Sequence, residues 1–216
     1  MTMAPDPVIT LNFEGMGNED VVQNFYNGGT SGYGFSGNNY GVSFSADAKT
    51  LIDEDAGGSG NFANEPSPST VLWFSENTPI LNCPAGFTGG ISFYYAALFP
   101  CGIQVYDGLN GTGTLLGSAV LPANIDIILD HGDPTGIYDK WDLRGVSFTG
   151  TARSVIFSGQ ADYCVFDNIT LGSIIPGGMF TVDITPDAAS VCPGSSPSVQ
   201  LQATGAVNYS WSPATG

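Results

Sequence analysis

What most constrains this chain is its rhythm. Short runs rich in β-branched and aromatic residues recur along it, each closed by Gly, Asn, Pro or Asp, and helical periodicity is almost absent. Strands are expected at 8–13 (VITLNF), 40–46 (YGVSFSA), 70–75 (TVLWFS), 89–98 (GGISFYYAAL), 102–107 (GIQVYD), 114–121 (TLLGSAVL), 145–149 (GVSFT), 152–158 (ARSVIFS) and 164–171 (CVFDNITL). Asn110-Gly111 falls between two of these runs and is a strong hairpin signal. Glu19 to Tyr26 reads as a short helical turn. Nine strands of this length imply an all-β fold, a two-sheet jelly-roll β-sandwich with long loops at its rims.

The organisation follows from the punctuation. Residues 1–7, opening Met1-Thr2-Met3-Ala4, read as leader residues, and the sandwich is expected over 8–174. Ile175-Pro176-Gly177-Gly178 reads as a linker at 175–178. Beyond it, MFTVDIT (179–185), SVQLQA (198–203) and VNYSW (207–211) read as the first strands of a second β domain, truncated at Gly216.

Charge narrows the function. Twenty acidic residues face four basic ones (Lys49, Lys140, Arg144 and Arg153), for a net charge of −16. Ordinary nucleic-acid binding needs a basic surface to displace counterions, so it is excluded. Anionic membranes are disfavoured, as are acidic polysaccharides unless calcium bridges them. Oxygen-liganded cations, calcium above all, are favoured. No apolar run reaches the length of a membrane span, so membrane insertion is not expected. The four cysteines, Cys83, Cys101, Cys164 and Cys192, form no C-x-x-C pair. Their scatter in an acidic, Gly/Asn/Thr-rich chain points to an extracellular, disulfide-permitting setting. A Cys101–Cys164 bridge is expected, with Cys83 as the rival partner, while Cys192 belongs to the next domain.

The closing run carries the sharpest oddity. By strand alternation Val165, Asp167, Ile169 and Leu171 share one face, three apolar side chains and one carboxylate. A carboxylate on a core face needs a partner. With so few bases available, a bound cation is the expected one.

Several strings together resemble a domain of secreted and surface-anchored bacterial proteins, including those with PEP-CTERM-type sorting tails. They are Phe25-Tyr26-Asn27-Gly28-Gly29, Tyr40-Gly41-Val42-Ser43-Phe44, GNFANEPSPSTVLWF (60–74), VYDGLNGTGTLLG (105–117) and the closing FDNITLG. The resemblance covers roughly residues 8–173. It implies a jelly roll similar to galactose- and carbohydrate-binding modules, many of which carry a structural calcium between first and last strands. The tail from 191 to 216, through Tyr209-x-Trp211-x-Pro213, resembles the opening of an Ig-like or PKD-like repeat of Bacteroidetes surface proteins. It implies a multidomain, exported parent.

Four candidate sites follow. In the first, Glu14 ends the first strand and could meet Asp167 around a calcium; the alternative is that Asp167 caps backbone amides at a bulge, or that Glu14 is solvated. The second is the Asp53-to-Asn61 loop followed by Glu65, where Asp53 and Asp55 alternate and Gly58 stands sixth, a partial match to D-x-[DN]-x-[DN]-G. It departs at Gly57 and at Asn64, where the twelfth-position Glu would fall, so a flexible acidic loop is the alternative. The third is the acidic segment Asp126–Asp142, holding Asp130, His131, Asp133, Tyr138, Asp139 and Trp141, either a solvated rim loop or part of a sugar-binding face. The fourth is aromatic: Ile91, Phe93 and Tyr95 point one way, leaving Tyr94 outward, while Tyr33 and Tyr40 lie in a Gly/Ser/Asn-rich stretch. Flat aromatics beside Asn and Asp suit sugar rings and hydroxyls. Each aromatic taken singly is equally readable as structural.

Catalysis finds little support: there is one His and no G-x-S-x-G elbow or H-E-x-x-H motif. The expectation is a non-catalytic, calcium-stabilised carbohydrate-binding module of an exported multidomain bacterial protein, taking neutral or calcium-bridged polysaccharide. Its ligand residues would be drawn from Tyr94, Trp141, Tyr138, Tyr33 and Tyr40, and its metal ligands from Glu14, Asp167, Asp53, Asp55 and Glu65. A structural or adhesive spacer is the alternative, with a glycoside hydrolase behind it.

Overall fold

The computed structural model describes residues 8–125 and 136–177, with the backbone of 183–185 and 202–204. The chain divides into two units, Met1–Gly178 and Met179–Gly216. In the second, the strands Asp183–Thr185 and Gln202–Thr204 pair antiparallel. Cys192, Tyr209, Trp211 and Pro213 lie outside the described residues, as do Asp126, Asp130, His131 and Asp133.

The first unit is an antiparallel β-sandwich of jelly-roll type. Its strands are β1 (Ile9–Leu11), β2 (Ser43–Phe44), β3 (Lys49–Ile52), β4 (Thr70–Trp73), β5 (Ile80–Phe87), β6 (Ile91–Ala97), β7 (Cys101–Tyr106), β8 (Leu115–Leu121), β9 (Asp142–Val146), β10 (Ala152–Ser158) and β11 (Cys164–Leu171). One sheet runs β3-β4-β11-β6-β9, with β1 also paired to β11; the other runs β2-β5-β10-β7-β8. The hairpin between β7 and β8 turns at Asn110 and Gly111, both with φ near +60° (56° and 69°), the backbone that Asn-Gly favours.

Several elements differ from the sequence expectation: the strand expected at 145–149 lies at Asp142–Val146, and that expected at 40–46 is only Ser43–Phe44. β5 had no strand signal, because Pro84 and Gly86 interrupt it; the β5–β10 ladder absorbs them with a register shift opposite Ala152–Ser154. β3 is only four residues long and runs straight into the acidic loop. The expected helical turn at Glu19–Tyr26 is instead a set of tight turns, in which Phe25 N–H donates to Val22 O and Asn27 N–H to Asn24 O. Positive φ at Glu19 and Gln23 breaks any helical run there.

The main core lies between the sheets. Phe166 of β11 meets Phe93 of its own sheet edge-on at 5.7 Å and Phe157 of the facing sheet at 5.0 Å, and all three are fully buried. Each such ring contributes roughly 1.5–3 kcal/mol by leaving water. A second, smaller cluster covers the outer face of the first sheet, where Leu51, Val71, Ala96 and Val165 of the sheet pack with Phe62 and Tyr138.

These two clusters correct the face assignment of the closing strand. Val165 belongs to the outer cluster, whereas Ile169 and Leu171 belong to the main core with Phe166. The β6–β11 register breaks between Asp167 and Thr170, and Asn168 adopts φ 48°. This bulge swaps the strand's faces midway. Asp167 lies directly opposite Tyr94, on the outer face.

Candidate functional site

β11 carries two partners along one edge. β4 lies beside Phe166, and β1 takes over from Ile169 to Leu171. The seam between β1 and β4 is closed by two carboxyl groups gripping the 67–70 turn. Glu14 Oε1 accepts the backbone N–H groups of Ser69 (3.1 Å) and Thr70 (2.9 Å). Asp167 Oδ2 accepts Ser67 N–H at 2.7 Å, and its Oδ1 accepts Asn168 N–H at 2.6 Å. The Ser67 hydroxyl lies 2.8 Å from both Asp167 oxygens and 3.1 Å from the Asn12 carbonyl.

Glu14 and Asp167 therefore come to one seam, where each accepts a backbone amide of the 67–70 segment. Asp167 is fully buried. Burial pushes its carboxyl up to about 7, against the pull of the Ser67 and Asn168 hydrogen bonds and with a further push from Glu14. When protonated, it can donate to Ser67 Oγ while that hydroxyl donates onward to Asn12 O.

The acidic loop after β3 folds back on itself. Gly58 N–H bonds Asp53 O, Gly60 N–H bonds Ile52 O, and Asp53 N–H bonds Ser69 O. The Asp53 side chain is thereby drawn inward to 5% exposure, while Asp55 stays exposed and Glu65 is half-buried. Burial, a side-chain hydrogen bond with Asp55, and the charges of Glu65 and Asp55 push the Asp53 carboxyl up to about 7. Its Oδ1 is buried without a hydrogen-bond partner. Among the described residues, no group of three or more His, Cys, Asp or Glu side chains is already arranged to hold a metal ion.

Next to the seam, an open cleft of about 590 Å³ lies on the outer face of the first sheet. Tyr94 and Trp141 line it together with Thr10, Asn64, Asp139 and Asn168, and Pro66, Pro176 and Gly177 complete its rim. The Trp141 ring is fixed in place: its Nε1–H donates to Ala63 O at 2.9 Å, and Phe62 meets it edge-on at 6.2 Å. A smaller cleft of about 280 Å³ lies on the other side of Thr10, lined by Glu14, Asn38 and Tyr40 among others. There Tyr40 stacks on Tyr26 at 6.1 Å and receives a hydrogen bond from Asn38 Nδ2 to its hydroxyl (2.9 Å).

The expected ligand aromatics thus separate. Tyr94 and Trp141 share the larger cleft, Tyr40 lines the smaller, and Tyr33, 65% exposed, lines neither. Tyr138 is a correction: it is buried in the outer cluster, where burial raises its hydroxyl to about 12, because its backbone bridges to Phe62 and draws the ring inward. Thr10, Asn64, Pro66 and Asn168 were not singled out from sequence. Only the fold brings them to the cleft, and isolated polar residues carry no mark of that.

The expected Cys101–Cys164 disulfide is also corrected: Cys83, Cys101 and Cys164 are free thiols. Cys101 and Cys164 are nevertheless neighbours. Hydrogen-bond contact with Cys101, then burial, drives the Cys164 thiol far up. Both pack on Gly159, where a Cβ would come within 2.7 Å of Cys164 Sγ and 2.8 Å of Cys101 Cβ.

No family model and no curated protein sequence matches the chain. Among solved structures it is similar to a Bacillus subtilis glycoside hydrolase family 43 arabinoxylan arabinofuranohydrolase in complex with cellotetraose, at 15% identity and TM-score 0.39, covering 60% of this chain and 26% of that one. The chain therefore spans about a quarter of that enzyme's length. It is also similar to the carbohydrate-binding module CBM6cm-2 from Cellvibrio mixtus lichenase 5A with cellotriose, at 11% identity and TM-score 0.35, covering 59% and 87% of the two chains. A third likeness is to the family 11 carbohydrate-binding module from Clostridium thermocellum with a β-1,3-1,4-mixed-linked tetrasaccharide, at 12% identity and TM-score 0.29, covering 74% and 99%.

Proposed function

We propose that the sandwich is a non-catalytic carbohydrate-binding module of an exported, multidomain protein, and that its ligand lies in the larger cleft of the first sheet. The observation that carries this reading is the pairing of Tyr94 and the hydrogen-bonded Trp141 with Thr10, Asn64, Asp139 and Asn168 around one open cleft. Aromatic rings offer apolar area to a pyranose face, and the amides, carboxyl and hydroxyl offer partners to its hydroxyls. A ring already pinned loses little freedom on binding. The net charge of −16 favours neutral glycans over acidic ones.

A non-catalytic role is supported by where the near-neutral carboxyls lie. Glycoside hydrolysis requires two carboxyl groups facing the sugar. Asp167 and Asp53, raised to about 7, are both buried, and neither lines the cleft. Calcium stabilisation is part of this reading, with Glu14, Asp167, Asp53, Asp55 and Glu65 as its candidate ligands.

A glycan array spanning plant, algal and microbial polysaccharides, cello-oligosaccharides and mixed-linked β-glucans included, tests the proposal. Saturable binding that is lost in Trp141→Ala is the expected result. Silence across the array would favour a structural or adhesive spacer.

A further inference from the structure

We infer that the larger cleft continues under the segment 173–177, and that the Ser92 hydroxyl is a sugar contact in that continuation, reached when the segment lifts. This rests on the carbohydrate reading and extends the same site. Thr10, Thr170, Ser92 and Gly145 stand in register across four neighbouring strands, β1, β11, β6 and β9. The row lies on the outer face, because the adjoining Leu11, Leu171, Phe93 and Val146 belong to the main core. Thr10 lines the open cleft, and so does Tyr94, which is two positions along β6 from Ser92 and shares its face. Ser92 therefore stands one step beyond the open floor.

The row is built of hydroxyls, and one of them is unused. Thr10 Oγ1 and Thr170 Oγ1 lie 3.0 Å apart, and Thr170 Oγ1 donates to Asn168 O at 3.2 Å. Ser92 Oγ is fully buried and has no hydrogen-bond partner. A hydroxyl both donates and accepts, and burying it unanswered is costly. Ser154, buried as deeply, is answered on both counts: it donates to Gly108 O at 2.6 Å and accepts the Gly111 N–H at 2.9 Å.

The chain itself covers Ser92. A Cβ on Gly145 would strike the Ile174 carbonyl, and one on Gly90 would fall 2.5 Å from Ile174 Cγ2. Three residues on, Gly177 N–H donates to Thr170 Oγ1 at 3.3 Å. The segment thus touches both register neighbours of Ser92, lying in a trough that two glycines leave free of side chains. Its seat is light. Ile174 and Ile175 remain 47% and 42% exposed, and among the described residues its hydrogen bond to the sheet is the long one from Gly177. Pro176 and Gly177 form the rim of the cleft, so lifting them joins trough and cleft and uncovers three hydroxyls in line. Such a strip suits the hydroxyl-bearing edge of the next unit of a neutral chain, whereas Tyr94 and Trp141 offer ring faces. The seated segment and a longer glycan compete for this row, which lowers the apparent affinity for long chains.

The test titrates the full chain calorimetrically with cellotriose and cellohexaose, and with short and long chains of any other class the array returns. The readout is the ratio of the two affinities. Cellohexaose should bind more tightly. Ser92→Ala should shrink that advantage roughly twofold to tenfold, as the loss of one hydrogen bond between neutral groups does. Its melting temperature should hold or rise, since nothing in the free protein uses the hydroxyl. Gly177→Pro removes the N–H given to Thr170 and cannot adopt φ 71°, so it should unseat the segment and widen the advantage. An advantage untouched by both changes would overturn the inference. So would a Ser92→Ala protein that melts lower and loses both sugars alike, the mark of a structural hydroxyl. In either case saturable cellotriose binding leaves the carbohydrate reading standing, whereas silence from every glycan removes that reading and this inference with it.

Discussion

Ser67 and Asp167, a hundred positions apart, are joined by both the backbone amide and the hydroxyl of Ser67, at 2.7 and 2.8 Å. The bond does more than fill a buried acceptor. It pins the 60–69 loop to the outer face of the first sheet, and that loop supplies Asn64 and Pro66 to the cleft wall and Ala63 O to the Trp141 ring. One buried carboxyl therefore governs the shape of the proposed binding surface without touching its contents.

Ser67→Ala keeps the amide bond but removes the hydroxyl shared by Asp167 and Asn12 O. Loss of one partner of a buried polar pair costs about 1–3 kcal/mol. Chemical denaturation should show that loss. Glycan affinity should fall as well, because the loop that seats Trp141 is loosened; a variant destabilised with unchanged affinity would separate the staple from the cleft.

Asp167 also sets a pH dependence. Its carboxyl has an ordinary value of 3.8 and is raised to about 7 by burial. The unfolded chain thus releases the proton near pH 4, whereas the folded chain keeps it until near 7. Between those values the folded state binds more protons, so stability falls as pH rises and levels off above about 7. At roughly 1.4 kcal/mol per unit, the full span is worth about 4 kcal/mol. Asp53 titrates in the same window, so the informative quantity is the difference between wild type and Asp167→Asn, measured in chelator from pH 4.5 to 8. The variant should show a shallower slope; equal slopes would remove Asp167 from the account.

The strands were readable because alternation is local. Ile91, Phe93 and Tyr95 inward and Tyr94 outward follow from their order alone, and the structure keeps them so. Asp167 was readable as a carboxylate in an apolar strand, but not its face, since nothing marks Asn168 as the bulge that reverses the alternation. Its partner was unreadable for a different reason: Ser67 is an ordinary serine in a proline-rich loop, and only the fold carries it across a hundred positions. Tyr138 misled in the same way, because its burial depends on Phe62 folding over the sheet. β5 was hidden because Pro84 and Gly86 look like a break, and a long ladder outweighs them.

Cys101 and Cys164 open β7 and β11, one strand in each sheet, with their thiols in contact. Exposure to an oxidant of the thiol–disulfide class should join them, the two sulfurs giving up two protons and two electrons to the oxidant. The cross-link would span both sheets and add roughly 2–4 kcal/mol. Peptide mapping without reductant should find Cys101 linked to Cys164 and Cys83 free, with a melting temperature that drops on reduction. A Cys83 linkage, or oxidation without stabilisation, would contradict the pairing.

The two clefts meet at Thr10, yet their aromatics differ in what holds them. Trp141 is fixed by Ala63 O and Phe62, whereas Tyr40 is fixed by Tyr26 and Asn38 in the smaller cleft beside Glu14. If the larger cleft binds the glycan, Trp141→Ala and Tyr94→Ala should each cost about 1–3 kcal/mol of affinity, roughly five- to 150-fold in dissociation constant, while Tyr40→Ala changes it little. Isothermal titration with the best array ligand reads this directly. Trp141 also anchors the outer cluster, so its variant needs a melting control, and Tyr94, whose side chain stands outward from β6, is the cleaner probe. A loss confined to Tyr40→Ala would move the binding surface across Thr10 to the smaller cleft.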